Sequence, residues 1–240
     1  MHTSPNTTTT RPAIAPIRPF DLGIVPYREA QELQRRLRRA VAGGLLPGAL
    51  LVLEHPVVIT LGSRAGLADL RGEAVAHGKP VEVVHSERGG AATLHAPGQL
   101  VAYPVMPIPG RDLRRYVRGL EEVLVRLLAD LGIVAERSPG RPGLYVAGDK
   151  IASVGLRCER WVASHGTSLN VSLDLGLFDL IVSCGEHGLR QTSIAELTGS
   201  APSMEELKSR YVQIFAEVFG IALAPLQPAT LRQIADLTGA

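Results

Sequence analysis

Gly143-Leu-Tyr-Val-Ala-Gly-Asp-Lys-Ile-Ala-Ser-Val-Gly-Leu156 contains two strand-like pieces, 144–147 and 150–157, with Gly148-Asp149 between them. A two-residue Gly/Asp connection is tight-turn chemistry, and tight turns pair strands antiparallel. A parallel crossover needs a dozen or more residues, so the chain is not a regular βαβ alternation. Outward from this hairpin, further strand-like runs lie at 49–53, 57–61, 81–84, 133–137 and 167–173. Ala30, Leu33, Leu37, Ala40 and Val41 recur at helical spacing, stopped by Gly43-Gly44. Leu113, Tyr116, Val117, Leu120, Val123, Leu124, Leu127, Leu128 and Leu131 mark a long amphipathic helix, with Asp112 as N-cap and Gly132 just beyond its end. Ser203 and Glu206 form a capping box for a final helix over 204–218. The pattern predicts an α+β fold: a tail over residues 1–18, rich in Thr and Pro, then a single domain over 19–240 with a mixed sheet flanked by helices.

Composition bounds the function. Among 240 residues, 45% are hydrophobic and 20% charged, ordinary proportions for a domain that buries its own core without disulfides or metals. A formal charge of +2 is too near balance to argue for nucleic acid. Arg35, Arg36, Arg38 and Arg39 fall on a helical pattern and read as a solvated face. Arg111, Arg114, Arg115 and Arg118 form a second basic group, read either as another solvated face or as a surface that greets an acidic partner. Two cysteines in a chain this long fit a reducing compartment, and no apolar run reaches membrane-spanning length. The expectation is a cytoplasmic monomer that binds neither nucleic acid nor membrane.

Arg88-Gly-Gly-Ala-Ala-Thr-Leu-His-Ala-Pro-Gly-Gln-Leu100 looks least like scaffold. Adjacent glycines give up packing and need a reason, such as unusual φ/ψ or close approach to a ligand. The segment lacks the Gly-Lys-Ser/Thr ending of a P-loop, and a strand-like run follows it rather than a helix, which weakens a phosphate role. Cys184 ends an apolar run and precedes Gly185, a setting that suits an exposed nucleophile as well as a buried small hydrophobe. A thiol needs a base or cation beside it to react at neutral pH. Lys150, just past the tight turn, reads as a surface lysine or, emerging from an enclosed sheet, as a proton acceptor. His95 and His165 read as pocket-lining or backbone-bonding groups, and His55, before Pro56, as a loop-positioning residue. Neither His-Glu-x-x-His nor Cys-x-x-Cys is present, so no metal and no cofactor are expected.

Taken together, these residues resemble the lipoyl(octanoyl) transferase family. Arg88-Gly-Gly, Thr93-Leu-His95 and Pro97-Gly-Gln99 follow its Arg-Gly-Gly-x-x-Thr-aromatic-His-Gly-Pro-Gly-Gln signature. Glu54-His55-Pro56, Thr60-Leu-Gly62, Gly143-Leu-Tyr-Val146, Lys150-Ile-Ala-Ser-Val-Gly-Leu156, His165-Gly166, Leu169-Asn-Val171, Asp174-Leu175 and Cys184-Gly185 fall in the family's order, so the likeness runs from about residue 27 to 197. It implies the biotin/lipoate protein ligase-like fold. It also implies transfer of an octanoyl group from octanoyl-acyl carrier protein to a lysine of lipoyl domains, in 2-oxoacid dehydrogenase complexes or the glycine-cleavage H protein. The resemblance makes Cys184 and Lys150 the catalytic dyad. It assigns substrate binding to Arg88, Gly89, Gly90, Ala91, Ala92, Thr93, Leu94 and His95, to Ile151, Ala152, Ser153, Val154 and Gly155, and to His165, Gly166 and Thr167. Leu94, Ala96 and Ser183 depart from the family's aromatic, glycine and proline; every reacting group remains. A left-handed Ala96 would cost roughly 1–2 kcal/mol. The rival readings are an ATP-dependent lipoate- or biotin-type ligase, a thioesterase, and a non-catalytic protein that binds acyl carriers or lipoyl domains.

Overall fold

The computed structural model describes residues 16–239. The expected tail therefore lies outside the described residues as far as residue 15. Ile17 is buried and bridged to Leu223, and Arg18 opens the first strand, so the ordered fold begins ahead of the expected boundary.

In chain order the elements are β1 (Arg18–Ile24), α1 (Tyr27–Ala42), β2 (Ala49–Glu54), β3 (Val58–Leu61), β4 (Val75–Ala76), β5 (Lys79–Pro80), β6 (Glu82–His85), β7 (Ala92–His95) and β8 (Gln99–Val105). They continue as α2 (Leu113–Ala129), β9 (Glu136–Ser138), β10 (Arg141–Val146), β11 (Asp149–Glu159), β12 (Val162–Asn170), α3 (Ile194–Thr198), α4 (Met204–Phe219), β13 (Gln227–Pro228) and α5 (Leu231–Asp236). Eight strands form one mixed sheet in the order β13-β1-β2-β8-β12-β11-β10-β9. β1 runs parallel to both neighbours, and the pairs from β2 through β9 are antiparallel. A smaller sheet, β6-β3-β7, carries the Gly-rich segment.

Helices cover both faces of the large sheet, which is why β2 is apolar from Ala49 through Leu53. Leu50 and Val52 join one core with α2 and α4, while Leu51 and Leu53 join a second with α1. The α1 stripe buries as its spacing predicts, and Gly43 caps its end through the Arg39 carbonyl at 2.9 Å. One of its four arginines departs from the expected solvated face: Arg38 is only 12% exposed, held by Glu87, Glu159 and Ser164, while Arg39 stays open to solvent. Asp112 caps α2 by accepting the Arg115 N–H at 2.9 Å. The helix stops at Ala129, short of Leu131, because Leu131 and Gly132 bond three residues back and tighten the last turn.

Two further expectations shift. The β10–β11 turn is Ala147-Gly148, one residue earlier than Gly148-Asp149; φ is positive at both, and Val146 pairs with Asp149. α4, with its Ser203/Glu206 box, is not the last helix. α5 follows, started by a Thr230/Gln233 box and seated through buried Ile234 on the α1 side.

Candidate active site

Cys184 sits in a single 3₁₀ turn, Ser183–Gly185, with φ 57 and ψ 15, rather than at a strand end. That left-handed backbone is sparsely populated by residues other than glycine, and such strain gathers where function over-determines geometry. The turn closes on itself: the Gly185 N–H donates to Val182 and the Glu186 N–H to Ser183, at 3.1 and 2.9 Å.

Lys150 reaches this turn from the start of β11. The segment after the cysteine clamps its backbone, the Lys150 N–H donating to Arg190 and the Thr192 N–H to the Lys150 carbonyl, both at 2.9 Å. Its Nζ lies 3.2 Å from Cys184 Sγ, 3.3 Å from Tyr145 Oη and 3.3 Å from the Pro142 carbonyl. Lys150 is 3% exposed, and no carboxylate pairs with it among the described residues. A buried amine facing a thiol, free of a competing anion, can exchange a proton with it.

The dyad lies on the wall of a cavity of about 380 Å³. One wall is the Gly-rich segment, with Arg88, Gly89, Gly90, Ala91, Ala92, Thr93 and His95. Another comes from the paired strands β11 and β12, with Ser153, Val154, Gly155, His165, Gly166 and Thr167. The Arg88 guanidinium is buried on neutral acceptors only: Nε and Nη2 donate to Thr60, and Nη1 to the Gly89 carbonyl. Burial draws it below the usual arginine range. Gly62 makes its seat, since a Cβ there would stand 2.7 Å from Nη1. Gly166 packs flush on the neighbouring strand, where a Cβ would overlap the Ala102 carbonyl.

Three histidines beside the cavity are neutral, and their tautomers follow from their partners. His55 Nδ1 faces the Val25 carbonyl, which only accepts, so Nδ1 carries the proton and Nε2 accepts from Tyr103. Burial lowers its pKa to about 4. Gln99 spends its amide N–H groups on Leu94 and Asn170, so its Oε1 accepts from His95 Nδ1 at 2.7 Å and leaves His95 Nε2 unprotonated. Burial, then His55, holds His95 well below the histidine range. His165 (φ 57) is lowered to about 3 by burial and then Arg88, and its Nδ1 has no partner among the described residues.

Three residues expected to bind substrate do not line the cavity. Leu94 points to the opposite side of β7 from Thr93 and His95, into an apolar core with Phe178. Ile151 and Ala152 are both buried in the core beneath α2. A bulge explains the pair: Leu144 opposes Ala152 and Tyr145 opposes Lys150, leaving Ile151 unopposed, so two successive side chains turn inward. Ala96 has no positive φ, so the strain considered for it does not arise, and Ser183 is buried with its hydroxyl unpartnered among the described residues. Leu113 and Val117 of α2, Tyr103, and Arg141 with Glu186 also line the cavity. The Arg141–Glu186 ion pair ties β10 to the residue two beyond Cys184, and the Arg141 guanidinium lies 4.8 Å from the Tyr145 ring centroid. The i, i+4 spacing of Leu113 and Val117 was visible in the helix stripe; the Arg141–Glu186 pair had no sequence signal.

Residues 26–216 match the model of the lipoyl protein ligase A/B catalytic domain. An octanoyltransferase of Syntrophotalea carbinolica is 44% identical over 213 residues, covering 88% of this chain and 98% of that protein. An octanoyltransferase of Roseiflexus sp. is also 44% identical, covering 84% and 87%. Among solved structures, lipoate-protein ligase A bound with ATP superposes with a TM-score of 0.74 at 16% identity, covering 93% of this chain and 94% of that one. The lipoic acid-bound form of a putative lipoate protein ligase from Thermoplasma acidophilum gives 0.71 at 18% identity, covering 92% and 93%. At these identities the structural likeness is one of fold alone. A family model spanning β2 to β12, α1 to α3 and the Lys150–Cys184 pair, with relatives aligned over most of both chains, shows that the chain belongs to the lipoyl protein ligase A/B catalytic domain family.

Proposed function

We propose that the chain transfers an octanoyl group from an acyl carrier protein to a lysine of a lipoyl domain, through a thioester on Cys184. The carrying observation is the 3.2 Å approach of Lys150 Nζ to Cys184 Sγ beside the cavity. The octanoyl class is taken from the relatives' names. Lys150 accepts the thiol proton, and the Cys184 sulfur attacks the thioester carbonyl. A new C–S bond forms as the donor's C–S bond breaks, and the departing thiolate takes the proton from Lys150. One thioester replaces another, so the exchange is close to neutral in energy and needs no ATP. The Gly185 and Glu186 N–H groups are already engaged. The Lys150 ammonium is therefore the group we assign to the developing oxyanion.

In the second half, the acceptor lysine loses a proton to Lys150 or a water and attacks the acyl-enzyme. A C–N bond forms as the C–S bond to Cys184 breaks, the nitrogen's remaining extra proton passes through Lys150 to the leaving Cys184 sulfur, and an amide is downhill from a thioester. Leu113, Val117, Val154 and Leu156 offer the acyl chain apolar surface. Burying about six methylenes is worth on the order of 5 kcal/mol at ~0.8 each. Neutral His95 and His165 orient substrate without adding charge. The reading places 19–240 as one catalytic unit, a monomer acting in the cytoplasm. Cys158 and Cys184 are free thiols, and no described helix is long and apolar enough to cross a membrane.

Incubation with octanoyl-acyl carrier protein, without ATP, is expected to add one octanoyl mass to the protein, mapped by peptide analysis to Cys184. Unaltered mass with competent donor overturns the covalent route. Full activity of Cys184→Ser that depends on ATP would instead favour a ligase. Free octanoate released without an acceptor would favour a thioesterase.

A further inference from the structure

The first two turns of α2 form one rim of the cavity, through Leu113 and Val117. Arg111, Arg114 and Arg115 stand exposed beside them, and none has a carboxylate oxygen within 4.0 Å among the described residues. The turn between β11 and β12 joins this surface from a distant part of the sequence. The Ile108 N–H donates to the Trp161 carbonyl and the Ala163 N–H to Met106, both at 2.8 Å, fastening that turn against the Pro109–Arg111 turn that opens α2. Arg160 (φ 50) and Trp161 (φ 62) both hold left-handed backbone, which two-residue hairpins ordinarily give to Asn-Gly. The fold accepts that strain and so presents the chain's single tryptophan at 43% exposure, with Leu113 at 41%. The acids nearby are engaged: Asp112 caps α2, and Glu159 is bound to Arg38 and Arg157. The two fastened turns thus carry an exposed tryptophan and leucine and four exposed arginines that make no ion pair among the described residues, and tryptophan and arginine are residue types that dominate interface energetics.

We propose that Trp161 and Leu113, framed by Arg111, Arg114, Arg115 and Arg160, dock the acidic carrier protein that delivers the acyl thioester to Cys184. This rests on the acyl-transfer reading and assigns the surface to one half of it. The donor's thioester hangs from an anionic, phosphodiester-linked arm on an acidic protein, which a basic rim attracts and steers.

The test uses the full chain, single-turnover acylation of Cys184, and two donors: octanoyl-acyl carrier protein, and octanoyl-pantetheine, which lacks both protein and phosphate. Two variants are compared with the unaltered protein. One combines Arg111→Ala, Arg114→Ala and Arg115→Ala; the other is Trp161→Asn, which removes the indole while keeping a side chain that tolerates positive φ. Each is expected to slow acylation by the subsaturating carrier by about 10-fold, and the triple variant to flatten its salt dependence. Acylation by octanoyl-pantetheine and transfer from preformed acyl-enzyme to a lipoyl domain should be unchanged. Unchanged carrier kinetics, equal losses with both donors, or a loss confined to transfer onto the lipoyl domain would each overturn the assignment. Failure of both donors to acylate the unaltered protein overturns the acyl-transfer reading, and the docking role with it.

Discussion

Cys184 carries its sulfur on backbone that costs an ordinary residue roughly 1–2 kcal/mol, a cost glycine avoids. Cys184→Gly should therefore be about 1 kcal/mol more stable than Cys184→Ala in urea unfolding, while neither variant forms an acyl-enzyme. Equal stability would mean that the turn relaxes and holds no strain. Lys150 has a different weakness, since its Nζ depends on three neighbours at 3.2–3.3 Å. Lys150→Ala should lower single-turnover acylation by roughly 10²–10⁴, the usual span for a lost proton acceptor. Near-normal turnover in a folded variant would remove Lys150 from the chemistry. Tyr145→Phe keeps the ring beside Arg141 and deletes only the hydroxyl. One neutral hydrogen bond is worth about 1 kcal/mol, so kcat should fall about fivefold with KM steady. A rise in KM alone would instead make Tyr145 a substrate contact.

Elements, rather than single side chains, decide what the cavity looks like, and here the sequence was legible unevenly. The helices α1, α2 and α4 follow from apolar spacing and caps, because both signals are local. The pairing of Lys150 with Cys184 is legible because the two residues lie in separate motifs that keep family order. The wall around them is less so. Reading 151–155 as one lining segment fails at Ile151 and Ala152, since a bulge set by pairing with β10 changes which side chains turn inward. Pairing is a tertiary fact with no local signature. The Arg141–Glu186 pair and the Trp161 surface likewise come from segments far apart in the chain. Gly166 gives the element-scale prediction: β12 lies so close to β8 that a methyl group would enter the Ala102 carbonyl. Gly166→Ala should destabilise the fold by about 2–3 kcal/mol, read as a lower urea midpoint, through overpacking. A midpoint within error of the unaltered protein would show that the strands can part without loss.

The whole molecule folds around three neutral histidines, and this ties its stability to pH. For His55 and His165 the folded values are about 4 and 3, both depressed by burial from the ordinary 6.5. Above pH 6.5 both forms of the chain carry these rings neutral, and the full stability is present. As pH falls below 6.5 the unfolded chain binds protons that the folded chain refuses, so stability declines, and it goes on declining toward the folded values. At pH 5 the difference amounts to about 2 kcal/mol for each of the two rings. His95, buried in the same cluster, acts in the same direction. Urea midpoints should accordingly drop steeply between pH 7.5 and 5, in the window where Cys184 would be assayed. His165→Asn removes one titrating ring and places at φ 57 a residue that accepts that backbone. The variant should lose less stability than the unaltered chain over this interval, by about 2 kcal/mol. An unchanged pH slope would mean that His165 takes up its proton as readily in the folded chain as in the unfolded one, and the cavity would then gain a positive charge below about pH 6.5 where a neutral ring is assigned.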